Sequence, residues 1–428
     1  MVVTVKREAE TLTAREPAVH DEAYGATQIG PFDYVPKVGF REYWYPCVWV
    51  KEVGRKPVNV KMLGEELVLF KGKKGNVVAL NEWCPHRGAR LSRGFCEFKG
   101  TVTCPYHGYT FDETGKCVAG LIESAESPLV NKMRTRVYPT AEWNGIVLVW
   151  MGETEPVPFE EDLPYEFSDP TLTGHKYTRV KMWETNWTEP MNQGIDYHEF
   201  YLHRGLNFWR FVDWRFPFWR PKSVSTGGTE IVSEGEDNIW VKTAEAKFGH
   251  AEYPGLGKWP RKTWWRVLPA PKTPNAGMIA TATGEKAWAT YNHNLQLPSK
   301  IRVCIGSLVH LRWGVPVDEQ NTRVWTFTIC KTPRTSLGKL WMDVWYYFWN
   351  KPARVIAINE KEDLVVFKNE HINLERSQKL GLLDRGLILF RRNLAKRSRD
   401  FQRLGGARGC LKQEPDPTLV RQWARNQR

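Results

Sequence analysis

The stretch from residue 84 to residue 108 decides how the rest of the sequence is interpreted, because it holds two short motifs of one kind. They are Cys84-Pro85-His86-Arg87-Gly88 and Cys104-Pro105-Tyr106-His107-Gly108. Each motif pairs one cysteine with one histidine and ends in glycine. Proline and glycine favour the tight turns that bring two nearby side chains onto one metal. The stretch therefore predicts a metal centre with four protein ligands, Cys84, His86, Cys104 and His107.

The mixed pairing of cysteine with histidine favours a [2Fe–2S] cluster of the Rieske type. In such a cluster two cysteines hold one iron and two histidines hold the other. A structural zinc site is the alternative, since two cysteines and two histidines also satisfy zinc. Zinc sites usually repeat C-x-x-C or H-x₃₋₅-H, whereas each pair here contains one residue of each type. The sequence therefore predicts the iron–sulfur cluster.

Length and composition predict more than one unit with a sizeable core. The chain has 428 residues, of which 42% are hydrophobic and 21 are tryptophan. A net charge of +13 raises the question of a nucleic-acid or an acidic protein partner. The basic residues concentrate at 71–74 and in the tail around 391–408, without a nucleic-acid-binding motif. We therefore expect an acidic redox partner and no nucleic acid.

The remaining cysteines and the hydrophobic segments bear on the compartment. Six cysteines are expected to be buried thiols in a reducing environment: Cys47, Cys96, Cys117, Cys304, Cys330 and Cys410. The N-terminal residues lack an apolar signal-peptide core. The most hydrophobic window, 340–349, is about half a membrane span and contains Asp343. These observations predict a cytoplasmic chain without a membrane association.

The order of patterned segments predicts an α+β fold with a small all-β domain and a larger catalytic domain. We expect an N-terminal arm at 1–40, the cluster domain at 41–152, and at 153–428 an antiparallel sheet flanked by helices, followed by a basic tail. Strands are predicted at 46–53, 66–71, 77–81, 145–151, 177–182, 239–247, 262–267, 278–281, 300–311 and 323–330. Helices are predicted at 184–204, 336–350 and 353–374. The aromatic stretch 208–219 is typical of a domain seam or lid, and alternatively of a substrate-pocket wall.

A second metal site is indicated by His198 and His203. On a regular α-helix, histidines five residues apart point in different directions, and a π-bulge would realign them. Two imidazoles and one carboxylate form the facial triad of mononuclear non-haem iron, which leaves positions for O₂ and substrate. Alone, such a pair is more often two histidines that pack against other residues. Downstream of a cluster motif in the same chain, it indicates an iron site more strongly.

In these motifs the chain resembles the Rieske non-haem iron ring-hydroxylating oxygenases. The likeness runs through both cluster motifs, Asn186-Trp187, Gly194-Ile195-Asp196 and Leu202-His203-Arg204. The second group is most similar to the phthalate-dioxygenase branch, whose catalytic subunits form homotrimers. The resemblance implies that Cys84, His86, Cys104 and His107 hold the cluster. It also implies that His198, His203 and Asp363 hold the iron, with Glu362 as the near alternative to Asp363. Without the resemblance, a solvated helix face would be the preferred interpretation of Glu362 and Asp363.

Two positions depart from the family pattern. The family has Asp-x-x-His, where the aspartate bridges a cluster histidine of one subunit to an iron histidine of the next. Here Asp196 precedes His198 by only two residues, and an i, i+2 pair on an ordinary helix points to opposite sides. Asp196 therefore keeps the bridging role only if the backbone adjusts. Tyr109 stands where the family commonly has tryptophan, which we expect to change packing beside the cluster and not the chemistry.

The resemblance implies a terminal oxygenase component of a multicomponent system in aromatic catabolism. A reductase, directly or through a ferredoxin, would supply electrons for O₂-dependent hydroxylation or oxidative demethylation of a small, aromatic substrate. An aromatic-ring cis-dihydroxylating dioxygenase is the first alternative. A Rieske electron-transfer protein with an interaction domain and no second iron is the alternative from another class, and a zinc-binding scaffold is the third.

Overall fold

The structure is a computed structural model of the whole chain. It describes residues 36, 38–124, 126–192, 229–234, 238–243, 252–253, 257–258, 292–305, 308–368 and 398–400. Of the predicted arm at 1–40, only the last residues are therefore described.

The first part of the chain folds into three small antiparallel sheets. Their orders are β1-β10-β9, β2-β3-β4-β8 and β5-β6-β7. Short strands with alternating or fully apolar patterns are what the sequence predicts here, and β3 and β4 place their apolar residues in the interior. The strands are β1 (Trp44–Trp49), β2 (Val58–Met62), β3 (Glu65–Lys71), β4 (Val77–Asn81), β5 (Thr101–Thr103), β6 (Tyr109–Asp112), β7 (Cys117–Gly120), β8 (Val137–Tyr138), β9 (Thr140–Trp143) and β10 (Ile146–Trp150).

The second part is built on one seven-stranded antiparallel sheet with the order β11-β19-β18-β17-β16-β13-β12. A separate hairpin pairs β14 with β15. The strands are β11 (Thr178–Trp183), β12 (Thr229–Glu234), β13 (Asn238–Thr243), β14 (Glu252–Tyr253), β15 (Gly257–Lys258), β16 (Asn292–Gln296), β17 (Lys300–Ile305), β18 (Leu308–Asp318) and β19 (Asn321–Cys330). An antiparallel sheet with helices beside it is the predicted α+β class, and the structure confirms it.

In the described residues, one short helix lies between β11 and β12 in the sequence, and the other helices follow β19. They are α1 (Thr188–Asn192), α2 (Ser336–Trp345), a π-helix (Tyr346–Asp363) and α3 (Leu364–Lys368). The last three form one continuous helical segment, although Pro352 lies within it. Proline removes one backbone donor, and a widened π-turn is a common way to accommodate such a break. Within the described residues, no helix has the length and apolarity needed to cross a membrane.

One hydrophobic core runs through both parts of the chain. It joins residues of β1, β2, β3 and β10 to residues of β17, β18 and β19. The rings of Trp49 and Trp325 lie 5.4 Å apart across this junction, and the Leu63 amide donates to the Pro316 carbonyl at 2.8 Å. A second, smaller core contains the cysteines of both cluster motifs. The proposed division at 152/153 therefore separates two units that share buried surface.

Residues 398–400 of the basic tail contact the first unit. The carboxylate of Asp400 accepts hydrogen bonds from the backbone amides of Arg41 at 2.7 Å and Glu42 at 3.0 Å. Arg399 donates to Asp162 at 2.9 Å. The short segment 398–400 is thus fixed to the domain that carries the cluster motifs.

Two element predictions are wrong in detail. The strand predicted at 300–311 is two strands, β17 and β18, which pair antiparallel; Gly306 and Ser307 between them are typical turn residues. The helix predicted from residue 184 begins at Thr188, because the Asn186 side chain accepts from the Thr188 amide at 3.1 Å and caps it. The strands predicted at 262–267 and 278–281 lie outside the described residues.

Candidate metal centres

The two cluster motifs form turns with the same hydrogen bonds. In each, the cysteine amide donates to the carbonyl five residues later, and the closing glycine donates back to the cysteine carbonyl. The distances are 2.8 and 2.8 Å for the turn of Cys84, and 2.8 and 3.1 Å for that of Cys104. Gly88 and Gly108 have φ values of +72° and +65°, which favour glycine. Two separate stretches thus present a cysteine and a histidine in equivalent frames.

Side chains of the same type from the two turns lie next to each other. Cys84 and Cys104 are both buried and their thiols are hydrogen-bonded to each other. The imidazoles of His86 and His107 are half-buried, and their ring centroids lie 4.8 Å apart. Thiol therefore faces thiol and imidazole faces imidazole, although each motif contributes one of each.

Electrostatics differ between the two thiols because they share one hydrogen bond. The Cys84 thiol lowers the pKa of Cys104 to about 6, and the amides of Tyr106 and His107 act in the same direction. The hydrogen bond to Cys104, together with burial, raises the pKa of Cys84. Backbone amides directed at sulfur stabilise a thiolate, which is the form that binds metal.

The donor set fits a [2Fe–2S] cluster. Within the described part of the chain, the Nδ1 atom of His107 is buried and has no hydrogen-bond partner. Such an orphaned ring nitrogen is costly unless a metal or other partner uses it. Two facing thiols and two facing imidazoles match the division of ligands between the two irons. A single zinc ion would instead require all four donors to converge on one point.

Aromatic and basic side chains surround the two turns. The Arg87 guanidinium lies 5.3 Å from the centre of the Tyr106 ring, and that of Arg90 lies 4.5 Å from the centre of the Trp83 ring. Trp83 and Tyr106 are exposed. The surface next to the imidazoles is therefore apolar and positively charged, which suits an acidic protein partner.

In the second unit, Asp363 is the last residue of the π-helix and is buried. Its Oδ2 accepts a hydrogen bond from Nη2 of Arg312 on β18 at 3.2 Å. The Arg312 guanidinium in turn lies 5.5 Å from the centre of the Trp183 ring. Asp363 therefore does not lie on a solvated helix face, which was the alternative interpretation of this residue. The side chain of Glu362 lies outside the described residues.

The other predicted residues of the iron site cannot be compared with the structure. Asp196, His198 and His203 lie outside the described residues, as does the aromatic stretch 208–219. In the described ranges, no group of three or more His, Cys, Asp or Glu side chains is arranged around one metal position. The iron ligands therefore stay a prediction.

Sequence reasoning missed two interactions at these sites. Arg312, the partner of Asp363, is 51 positions away in sequence and carries no local motif. The sequence predicts a packing role for Tyr109, and its ring centroid lies 4.9 Å from that of His86. The same ring also lies against β7, where a Cβ atom on Gly120 would come within 3.3 Å of Tyr109 Cε1, and no local pattern connects these two residues.

Comparison with known families and proteins agrees with this division of the chain. The Rieske [2Fe-2S] domain family matches residues 43–131, and the homotrimeric ring hydroxylase family matches residues 150–402. The terminal oxygenase component of carbazole 1,9a-dioxygenase from Metapseudomonas resinovorans is 30% identical, over 43% of this chain and 48% of that protein. The phthalate 4,5-dioxygenase oxygenase subunit from Pseudomonas putida is 33% identical, over 36% of this chain and 35% of that protein. The matched stretch thus spans about half or less of each relative.

Solved structures share the fold over most of the chain. The terminal oxygenase of carbazole 1,9a-dioxygenase from Nocardioides aromaticivorans superposes with a TM-score of 0.63 at 22% identity, covering 86% of this chain and 97% of that chain. The reduced complex between oxygenase and ferredoxin in carbazole 1,9a-dioxygenase gives a TM-score of 0.65 at 21% identity, covering 87% and 93%.

Proposed function

The chain belongs to the homotrimeric ring hydroxylases, which are Rieske non-haem iron oxygenases, and we propose that it is the terminal oxygenase component of a multicomponent system. The proposed reaction is O₂-dependent hydroxylation or oxidative demethylation of a small organic compound, with aromatic compounds as the favoured class. One observation carries the proposal: two glycine-closed turns within the Rieske match bring thiol to thiol and imidazole to imidazole.

In this proposal the chain holds two metal groups. Cys84, His86, Cys104 and His107 hold the [2Fe–2S] cluster, and His198, His203 and Asp363 hold a mononuclear iron, with Glu362 as the alternative to Asp363. When bound, the cluster supplies one-electron transfer and the iron supplies O₂ activation. The division into an arm (1–40), a cluster domain (41–152) and a catalytic domain (153–428) belongs to the same proposal.

The described residues have defined tasks in this scheme. Arg312 fixes the direction of the Asp363 carboxylate through a charge-assisted hydrogen bond. The Tyr109 ring covers one side of His86 and excludes water from it. Gly88 and Gly108 fix the two turns, so the four cluster donors are held before the cluster binds.

Assembly and partners follow from the family and from its solved relatives. We propose a homotrimer in which Asp196 bridges the two metal sites of neighbouring subunits. The electron donor is a reductase, directly or through a ferredoxin; carbazole 1,9a-dioxygenase has been solved as an oxygenase–ferredoxin complex. The apolar and basic surface around Arg87 and Tyr106 suits such a donor. Free, buried thiols such as Cys47 and Cys330 are consistent with a reducing compartment, for which we propose the cytoplasm.

A second reaction outcome has support among the relatives. Both relatives described above are named dioxygenases, while others are named a tert-butanol monooxygenase from Aquincola tertiaricarbonis and a 5,5'-dehydrodivanillate O-demethylase oxygenase subunit from a Sphingobium strain. Ring cis-dihydroxylation is therefore the alternative outcome of the same site. The rival class is an electron-transfer protein without a second iron site. It predicts that the purified protein contains only the iron of the cluster.

The test combines metal analysis with turnover. Protein purified without added metal should be brown and contain about two irons and two acid-labile sulfides per chain, plus up to about one further iron. With a reductase and ¹⁸O₂, one labelled oxygen atom in the product supports monooxygenation and two support dihydroxylation. A colourless protein that contains only zinc would refute the proposal. A brown protein whose iron content does not exceed its content of acid-labile sulfide would favour electron transfer alone.

A further inference from the structure

The helical segment that begins with α2 is apolar on two opposite sides. On one side, Met342, Trp345 and Tyr346 are buried in a cluster that includes Cys330 of β19. This contact attaches the segment to the seven-stranded sheet. The other side is exposed and is called the apolar stripe below. Its members are Leu337, Leu340, Trp341, Val344, Tyr347 and Phe348.

The apolar stripe follows the spacing of a single helix face. Its members recur at steps of three or four residues, which places them on one side of a helix. The side chain of Phe348 is 80% exposed, that of Leu337 77% and that of Trp341 59%. A helix that is apolar all round is normally buried, and a contiguous exposed apolar surface marks a site of interaction. The stripe is therefore expected to be covered when the protein functions.

Cations lie at both ends of the apolar stripe. Arg334 is exposed just before α2 begins. At the other end, the Lys351 ammonium lies 5.5 Å from the centre of the Tyr347 ring. The one acid in the sequence of α2, Asp343, is already paired with Lys176 at 2.7 Å. The stripe is thus an apolar surface with positive charge at its ends, which is complementary to a surface that is both apolar and anionic.

A second copy of the chain and a lipid surface are the two candidates to cover the stripe. The other apolar surface described above, around Trp83 and Tyr106, carries Arg87 and Arg90. Contact between that surface and the stripe of a neighbouring subunit would bring like charges together, which is unfavourable. An anionic bilayer fits better, because phosphates attract the cations while aromatic and aliphatic side chains enter the boundary between headgroups and acyl chains.

We propose that the apolar stripe docks the protein on the surface of an anionic phospholipid membrane. The sequence predicted no membrane association because the window 340–349 is too short to span a bilayer. A helix that lies in the interface needs no such length. Trp341 and Phe348 enter the boundary between headgroups and acyl chains, and Arg334 and Lys351 contact the lipid phosphates. This docking goes beyond the proposed reaction and does not depend on it.

Sedimentation with vesicles tests the docking. The full-length protein, loaded with its metals, is centrifuged with vesicles of phosphatidylcholine alone or of phosphatidylcholine mixed with phosphatidylglycerol. The wild type should bind the mixed vesicles, and binding should weaken as salt is added, since salt screens exposed charges. The double variant Trp341→Ser and Phe348→Ser should lower the partition coefficient about tenfold or more. Arg334→Gln with Lys351→Gln should lower it about five- to thirtyfold on the mixed vesicles and much less on phosphatidylcholine alone.

The matched control is Phe95→Ser with Phe98→Ser. These two rings of the first unit are 57% and 52% exposed, so this variant removes similar apolar surface away from the stripe and should bind vesicles as the wild type does. A wild type that does not bind the mixed vesicles, or a control that loses binding as much as the stripe variant, overturns the proposal.

Light scattering without vesicles separates docking from subunit assembly. The variant Trp341→Ser and Phe348→Ser should keep the molar mass of the wild-type assembly. If it dissociates instead, the stripe is a subunit interface and the proposal is overturned. The proposed function is tested separately by iron and sulfide content, so a protein that keeps its cluster but does not bind vesicles refutes the docking alone.

Discussion

At the residue scale, the two cluster turns show why glycine ends both motifs. Each glycine has a positive φ and donates the hydrogen bond that closes its turn. The surroundings differ, however: a Cβ atom on Gly88 would meet nothing within 4 Å, whereas one on Gly108 would press on Leu121. The first glycine is required by backbone conformation alone, and the second by conformation and by close packing.

This difference predicts unequal effects of alanine. Gly88→Ala should cost about 1–2 kcal/mol through the left-handed backbone alone. Gly108→Ala should cost more and displace Leu121, because a Cβ atom would lie 2.8 Å from Leu121 Cβ. Iron and acid-labile sulfide content, with thermal unfolding monitored in parallel, measures both effects. Gly75→Ala, with φ of +87° and open space around it, is the control outside the site; equal cluster loss in all three variants would contradict the prediction.

Asp363 provides a second prediction at this scale. As a buried carboxylate at the end of the π-helix, paired with Arg312, it is the proposed third ligand of the mononuclear iron. Asp363→Ala should abolish turnover and lower the iron-to-sulfide ratio from about 3:2 to about 2:2, with the cluster spectrum unchanged. Glu362→Ala should keep most activity. If Glu362→Ala is the inactive variant and Asp363→Ala retains iron, the ligand is assigned one residue too late.

How far the sequence could predict the site depends on how local each feature is. Cys84 and His86, like Cys104 and His107, lie within one turn of each other, so their residue types and spacing were enough to indicate a metal centre. The pairing of Asp363 with Arg312 joins residues 51 positions apart, and no local pattern predicts it. A residue can be named as a candidate from a motif, but its electrostatic partner depends on the tertiary fold.

At the element scale, the π-helix is joined to the edge of the large sheet by charge. Glu360 is buried and accepts hydrogen bonds from Arg179 Nη2 at 2.8 Å and from Lys181 Nζ at 3.0 Å, both on β11. Burial tends to raise the pKa of Glu360, but the hydrogen bonds from the two cations outweigh it and lower the pKa below 4.5. The carboxylate is therefore ionised at neutral pH and holds the π-helix beside Asp363.

This ion pair predicts a pH-dependent contribution to stability. The folded pKa of Glu360 is lower than the unfolded value, so the contribution is fully present above about pH 4.5 and is lost as the pH falls through the folded pKa. Glu360→Gln should lower the free energy of unfolding by about 2 kcal/mol at neutral pH, a moderate value because Arg179 and Lys181 remain partly exposed. Denaturant unfolding at several pH values measures the difference from the wild type, which should shrink in acid.

The control lies at the C-terminal end of the same helical segment. Glu184 pairs with Lys368, and both side chains are more than half exposed. Glu184→Gln should change the free energy of unfolding by less than about 0.5 kcal/mol at any pH. If the two variants have equal effects, burial does not strengthen the Glu360 pair.

Elements differ in how well the sequence predicted them. Strands β3 and β4 lie within one residue of their predicted bounds, since apolar runs between turn residues mark both ends. The single strand predicted at 300–311 is a hairpin, because Gly306 and Ser307 interrupt a pattern that is apolar on both sides. The helices predicted at 336–350 and 353–374 are one continuous segment through Pro352 as far as the structure describes it. Local signals thus indicate element type better than they indicate continuity.

At the scale of the whole molecule, the two units are packed together while their proposed metal sites belong to different sheets. The cluster turns follow β4 and β5, and Asp363 lies beside the seven-stranded sheet. One core joins the units, and residues 398–400 bind the first unit as well. This packing opposes a movement of one unit against the other that would bring the two metal sites of one chain together. A head-to-tail homotrimer provides another route, because each cluster can face the iron of the next subunit.

The last prediction is that catalysis crosses a subunit boundary. Cys104→Ser should remove the cluster and His198→Ala the mononuclear iron, so each homotrimer alone should be inactive. When the two variants are dissociated, mixed and reassembled, some interfaces join an intact cluster to an intact iron site, and activity should return in proportion to those interfaces. Asp196→Asn should keep both metals but slow reduction of the iron site, because Asp196 is the proposed bridge between the imidazoles of neighbouring subunits. Mixed trimers that form, shown by mass spectrometry, and yet remain inactive would refute transfer between subunits. If the mixture is active and Asp196→Asn is harmless, another residue makes the bridge, and the spacing to His198, one residue shorter than in the family, is the physical reason to expect that shift.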